Sequence, residues 1–233
     1  MKLSNRFFSL VLATLILSTA TMLQAGEVTT FGWHSGVASL AATTISPLTA
    51  PNNDDVPGVS KNTIFVTQKD YKAIGPVDIT FDVINSGGVS EYSVVEGVYN
   101  GTGLNWSSYH IELGFGFGTG FAKSLPGDGL DFDAPDFNSP LVFDPAPGFY
   151  FPTATATEDD IYASGGVMPN GGFAGYFKFN IDVPDGITQF TIRQSPIAVP
   201  EPSTLVLAGL GVVGLGVVGW RKRNRRDACA KAM

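Results

Sequence analysis

Four aspartates, Asp128, Asp131, Asp133 and Asp136, crowd into one Gly- and Pro-rich stretch of the chain. Hard oxygen ligands closely spaced in a loop suit calcium, which takes 6–8 of them. The EF-hand order of ligands and its terminal Glu are missing, so the competing reading is a solvated acidic loop. The run Glu158-Asp159-Asp160 is a weaker candidate of the same kind. Calcium is the one cofactor to which any residue cluster points.

Other chemistry has less to build on. His110 falls on the polar side of an alternating segment beside Glu112, and His34 lies between Trp33 and Ser35. Neither has a nucleophile marked for it, so a solvated or hydrogen-bonded role is expected of both. Two separated histidines and a single cysteine, Cys229, do not assemble the usual zinc sets. Gly114, Gly116, Gly118 and Gly120 alternate without a P-loop lysine or a following helix to present amides to phosphate. They are expected to flatten a sheet face or mark a bulge. The sequence therefore assigns no catalytic residue. Trp106, Tyr109 and Tyr99 would stack on sugar rings if exposed, whereas in a β-sandwich they serve as core. Asn100-Gly101-Thr102 and Asn105-Trp106-Ser107 match the N-glycosylation pattern and read as turn residues.

The elements that must hold these residues are strands. Val77, Ile79, Phe81 and Val83 alternate with Asp78, Thr80 and Asp82, as a strand with one buried face requires. The same period runs through Tyr109, Ile111, Leu113, Phe115 and Phe117, and again through Phe177, Phe179, Ile181 and Val183. Shorter candidates are Thr63 to Thr67, Glu91 to Tyr99 and Ile187 to Arg193, with turns at Asn100-Gly101 and Asp185-Gly186. The small, polar stretch from Gly26 to about Pro57 reads as irregular, with an exposed loop at Pro51 to Asp55. No helical period and no internal repeat are sustained between the two ends. Six or more one-sided strands must cover their apolar faces, which predicts a mainly β fold, an antiparallel β-sandwich.

Charge narrows the partners. Residues 26–195 carry 19 Asp and Glu against six Lys and Arg, a net charge of −13, within a 233-residue chain of net charge −7. So acidic a domain repels nucleic acid and anionic head groups, so nucleic acid is excluded as a partner. With Cys229 alone, no intramolecular disulfide forms and the domain rests on its core.

The two ends carry targeting patterns. Lys2 and Arg6 precede the apolar run Phe7 to Leu17 and then small residues up to Ala25, the tripartite form of a secretory signal peptide cleaved after Ala25 or, alternatively, Ala20. At the other end Val199-Pro200-Glu201-Pro202-Ser203-Thr204 leads into an uncharged span to Gly219. Trp220 and the cations Arg221, Lys222, Arg223, Arg225 and Arg226 follow. The cations place that end in the cytoplasm by the positive-inside rule. The order of PEP motif, glycine-rich apolar span and basic cluster resembles the PEP-CTERM sorting domain of exosortase substrates. The resemblance implies that an exosortase recognises Pro200, Glu201 and Pro202, and that the source is a Gram-negative bacterium making exopolysaccharide or biofilm matrix. The segments Asn100 to Gly116 and Asp182 to Pro196 are similar to parts of β-rich ectodomains found with such signals.

The expected layout is a signal peptide over 1–25, a β-sandwich ectodomain over 26–195, a linker with the PEP motif over 196–203, a transmembrane helix over 204–220 and a basic cytoplasmic tail over 221–233. The expected protein is a non-catalytic one, exported across the inner membrane and transiently anchored there. It then passes to the cell surface or the extracellular matrix, with exosortase and extracellular polysaccharide as partners. A carbohydrate- or calcium-binding module is the alternative, and a secreted hydrolase the less favoured one.

Overall fold

The computed structural model of the protein describes residues 26–49, 62–85, 88–132, 150–200, 210–213 and 215. Among these residues twelve strands form two sheets. They are β1 (Gly26–His34), β2 (Ala38–Leu40), β3 (Thr43–Ile45), β4 (Asn62–Tyr71), β5 (Val77–Asn85), β6 (Ser90–Asn100), β7 (Trp106–Phe115), β8 (Ala122–Lys123), β9 (Thr153–Ala156), β10 (Asp160–Ser164), β11 (Phe173–Val183) and β12 (Gln189–Ala198). The larger sheet runs β1-β5-β12-β7-β10-β9, with β8 on the end of β7, and the smaller runs β11-β6-β4-β2, with β3 also on β4.

The mainly β, two-sheet expectation holds, but the pairing is not wholly antiparallel. β4 and β6 pair in parallel, with Ile64 beside Val94 and Val66 beside Glu96. A parallel pair needs a crossover between its strands, and β5, which belongs to the opposite sheet, provides it. The stretch from Gly26 also departs from expectation, because it contains β1, β2 and β3. β1 pairs with β5 along its length, Phe31 opposite Phe81 and Trp33 opposite Ile79. Of β1 only Val28 joins the core cluster, with Trp33 packed against it, so this edge strand gives little apolar alternation to read.

Alternation did locate the core. Val77, Ile79, Phe81 and Val83 of β5, Tyr109, Ile111 and Leu113 of β7, and Phe177, Phe179, Ile181 and Val183 of β11 are all buried in one cluster. Rings join the sheets: Tyr109 of β7 stacks on Phe177 of β11 with centroids 5.0 Å apart, and Tyr71 of β4 meets Trp106 edge-on at 5.2 Å. β7 ends at Phe115, however, so Phe117 leaves the core face and lies half-exposed, stacked on His34 at 3.8 Å. The glycines beyond Phe115 are a turn rather than part of the strand. Gly116 and Gly118 have φ of 71° and 59°, and Gly118–Gly120 forms a short 3-10 turn. Among the described residues no helix is long and apolar enough to cross a membrane; residues 210–213 and 215 are helical.

Candidate functional site

The acidic residues gather where the edges of the two sheets meet. After β8 the chain turns through residues 124–132, which main-chain hydrogen bonds tie to both sheets. Ser124 N bonds Leu113 O of β7 at 3.0 Å, and Phe132 N bonds Glu158 O at 2.7 Å. Asp131 exchanges main-chain hydrogen bonds with Asp182 of β11, N to O distances of 3.3 and 2.7 Å. Leu130 and Phe132 anchor the loop in the core, and Phe132 meets Phe179 edge-on. Gly129, with φ of 86°, lets the loop turn beneath Pro184. The loop thus spans from β7 in one sheet to β11 in the other. On the facing side the β9–β10 turn is held by Leu113 N to Asp159 O at 3.0 Å.

This arrangement brings Asp128, Asp131 and Asp159 together, one carboxylate oxygen of each lying within 4.8 Å of the others. Of the four aspartates expected as calcium ligands, Asp128 and Asp131 meet, while Asp133 and Asp136 lie outside the described residues. Asp159 comes from a distant turn, which no local spacing in the sequence reveals. Asp128 is held by Ser124 Oγ at 2.8–2.9 Å and by the amides of Leu125 and Leu130, both at 3.0 Å. Asp131 and Asp159 are only 8% and 2% exposed, and an Oδ1 atom of each has no hydrogen-bond partner. Burial, then the charges of Glu158, Asp159 and Asp128, push the Asp131 carboxyl up to about 6. Burial and Asp128 raise Asp159 too, against the pull of Lys123 and Ser124.

A second group lies beside the first. His110 and Glu112 point outward from β7, as alternation requires, and meet Asp160 of β10. His110 Nε2 is 2.9 Å from Asp160 Oδ1, His110 Nδ1 is 3.7 Å from Glu112 Oε2, and Lys123 Nζ bonds Asp160 Oδ2. Burial pushes the Asp160 carboxyl up, but Lys123 and His110 more than offset this and hold it below the usual carboxylate range. Both histidine nitrogens face carboxylates, the geometry of an ion-pair network. A cleft of about 680 Å³ is lined by residues 123–126 and 156–160, among them Asp159 of the first group and Asp160 of the second.

His34 serves packing: its Nε2 is 3.2 Å from Thr80 Oγ1, under the Phe117 ring. Trp106 and Tyr109 are fully buried, which removes them as sugar-stacking surfaces. Asn100 is buried as well. Its amide donates to Leu104, Met168 and Pro169 carbonyls and its Oδ1 accepts from Thr102, so this glycosylation pattern is a turn lock. The positive φ of that turn falls on Gly103, at 82°.

Sequence reading also missed a charged network in the core. Lys69 Nζ lies 2.7 Å from Glu96 Oε2, and both side chains are wholly buried. Gln194 of β12, in the other sheet, donates to the same oxygen at 2.7 Å, and Tyr109 donates to Gln194 Oε1 at 2.7 Å. The Tyr71 and Tyr109 hydroxyls are 3.0 Å apart. Burial lowers the Lys69 ammonium to about 8, although Glu96 pulls it back up, and it raises both tyrosines.

No curated protein and no solved structure gives a match to the chain. A family model does match at the far end, past β12. Residues 198–226, which include Pro200, Glu201, Pro202 and the cations from Arg221 to Arg226, fit the PEP-CTERM protein-sorting motif. Pro200 is the last described residue before the apolar span, one residue beyond Val199, whose N bonds Asn105 O at 2.8 Å. The chain thus carries, directly behind a β-rich domain, a C-terminal segment that matches the PEP-CTERM protein-sorting motif.

Proposed function

We propose that the protein is a non-catalytic surface or matrix component of a Gram-negative bacterium. In this reading an exosortase sorts it from the inner membrane to the cell surface or the extracellular matrix, where it works alongside exopolysaccharide or biofilm material. The observation that carries this reading is the sorting motif at residues 198–226. The chemistry of the domain is consistent with it: a strongly acidic body stays dispersed among polyanions, and a core without disulfides is closed by interlocking rings and a buried ion pair. The outward-facing histidine is tied up by carboxylates rather than set beside a nucleophile.

Two strains test the proposal. Deleting the gene in the native host is expected to change surface, floc or biofilm properties. Deleting the exosortase is expected to shift the protein from the surface fraction to the inner-membrane fraction. Unchanged behaviour in all surface assays, or unchanged fractionation without exosortase, would count against it.

A further inference from the structure

The seam between the sheets contains an unsatisfied arrangement. Asp131 and Asp159 are more than nine-tenths buried, each keeps an oxygen without a hydrogen-bond partner, and Asp128 brings a third carboxylate into the same small volume. Buried anions of like sign are costly unless a cation or a proton joins them. Lys123 acts on Asp159 from a distance, but its amine is bonded to Asp160 in the neighbouring group. A cation shared by the three carboxylates would give both unpartnered oxygens a ligand and offset the repulsion.

We propose that Asp128, Asp131 and Asp159 bind one calcium ion that clips the 124–132 loop and the β9–β10 turn together across the seam of the two sheets. The oxygens lie within 4.8 Å of one another. Two calcium–oxygen distances of 2.3–2.6 Å placed end to end span about 4.6–5.2 Å, so oxygens this close can share one ion; calcium suits an irregular loop-built set better than magnesium, which demands near-ideal octahedral geometry and dehydrates reluctantly. Three donors, Ser124 Oγ and the Leu125 and Leu130 amides, fix the Asp128 carboxylate, which has about four acceptor positions and keeps capacity for a metal. Glu158, whose side chain accepts from Gly127 N at 3.1 Å, adds negative charge at the rim. The site is preorganised, because the Asp131 main chain is paired to Asp182 and the Asp159 carbonyl to Leu113. The proposal stands independently of the sorting reading.

The test uses the full-length protein in mild detergent, stripped with chelator and titrated with calcium chloride by calorimetry and by thermal unfolding. One calcium is expected to bind per chain, and Tm should climb with the logarithm of calcium concentration. Magnesium should give a smaller rise, and sodium at matched ionic strength none. Asp159→Asn is expected to weaken binding by roughly tenfold or more, since affinity follows ligand charge. Asp131→Asn/Asp159→Asn should abolish the response and, relieved of repulsion, be at least as stable as calcium-free wild type. Absence of heat and of any Tm shift for wild type in millimolar calcium overturns the proposal, as does a full response in the double variant. If the double variant does not unfold cooperatively, Asp159→Asn alone decides, and unchanged affinity there is equally fatal.

Discussion

At the scale of single residues the decisive feature is a charge pair where side-chain parity alone puts one member wrong. Glu96 shares its strand face with Tyr92, Val94 and Val98, so alternation along β6 already places it inward. Lys69 is different. Ile64 and Val66 point inward from β4, and continuing that period would send Lys69 to the outer face; a register shift between Val66 and Lys69 reverses the phase and turns it in. A bulge leaves no mark in hydrophobic pattern, so the Lys69 position was not legible in the sequence, whereas the Glu96 position was. Removing one partner leaves the other as a lone buried charge, which typically costs about 3–5 kcal/mol. Urea unfolding should show a loss of that order for Lys69→Met. Lys69→Met/Glu96→Leu should lose clearly less than the sum of its single variants, even though Gln194 Nε2 then loses its acceptor. The same pair makes a pH prediction. Because the folded state holds the Lys69 ammonium near 8, below its ordinary 10.5, it binds fewer protons than the unfolded chain between those values. Stability of wild type relative to Lys69→Met is therefore expected to rise from pH 8 toward pH 10. A flat difference across that range would mean that burial does not lower the Lys69 ammonium.

At the scale of elements, the strands that sequence reading found are those with one apolar and one polar face, and those it missed are edge strands or strands set by contact. Even β5 departs from a simple half-buried strand. Asp78 and Thr80 lie on its outer face yet are only 3% and 4% exposed. Arg193 of the neighbouring β12 covers Asp78 with two hydrogen bonds, at 2.6 and 2.8 Å, and His34 of β1 covers Thr80. The Arg193 guanidinium also lies over the Phe121 ring, 3.9 Å from its centre, so the turn after β7 is folded back onto the sheet. Gly114 permits that fold. A Cβ there would overlap the Ala122 carbonyl and come within 2.7 Å of the Phe121 ring, forcing β8 away from β7. Gly114→Ala should lower the unfolding free energy by roughly 1–3 kcal/mol, the usual range for overpacking. Gly36→Ala, with nothing within 4 Å of the added atom, should stay within about 0.5 kcal/mol. Equal midpoints and slopes for the two variants would refute the packing account of Gly114. The acidic site follows the same division: Asp128 and Asp131 were legible as a local cluster, but Asp159 joins them only because Leu113 pairs with both flanking loops.

At the scale of the whole molecule, the folded domain runs up to the sorting motif with almost no spacer. β12 continues to Ala198, pairing Ile197 with Ser108, and the Val199 amide is still bonded to Asn105. Whatever acts at Pro200 to Pro202 must therefore work close to the end of β12. The apolar span behind it is short. From Thr204 to Gly219 a helix rising about 1.5 Å per residue covers roughly 24 Å, less than the hydrocarbon core of about 30 Å. Pro200 and Pro202 oppose its extension upstream, and Gly209, Gly211, Gly214, Gly216 and Gly219 each weaken it by up to about 1 kcal/mol relative to Ala in water. These glycines recur at spacings of two and three rather than four, so they form no face of the kind that joins membrane helices. Such a span suits transient retention followed by cutting better than a permanent anchor. Mass spectrometry of the protein from the surface of its native host is expected to find a C-terminus between Pro200 and Ser203. The same measurement on a strain lacking exosortase should recover peptides from Arg221 to Met233. Full-length tail in normal surface material would reject processing and make a lasting single-pass anchor the better account, because a basic cluster that stays on the chain keeps its end in the cytoplasm.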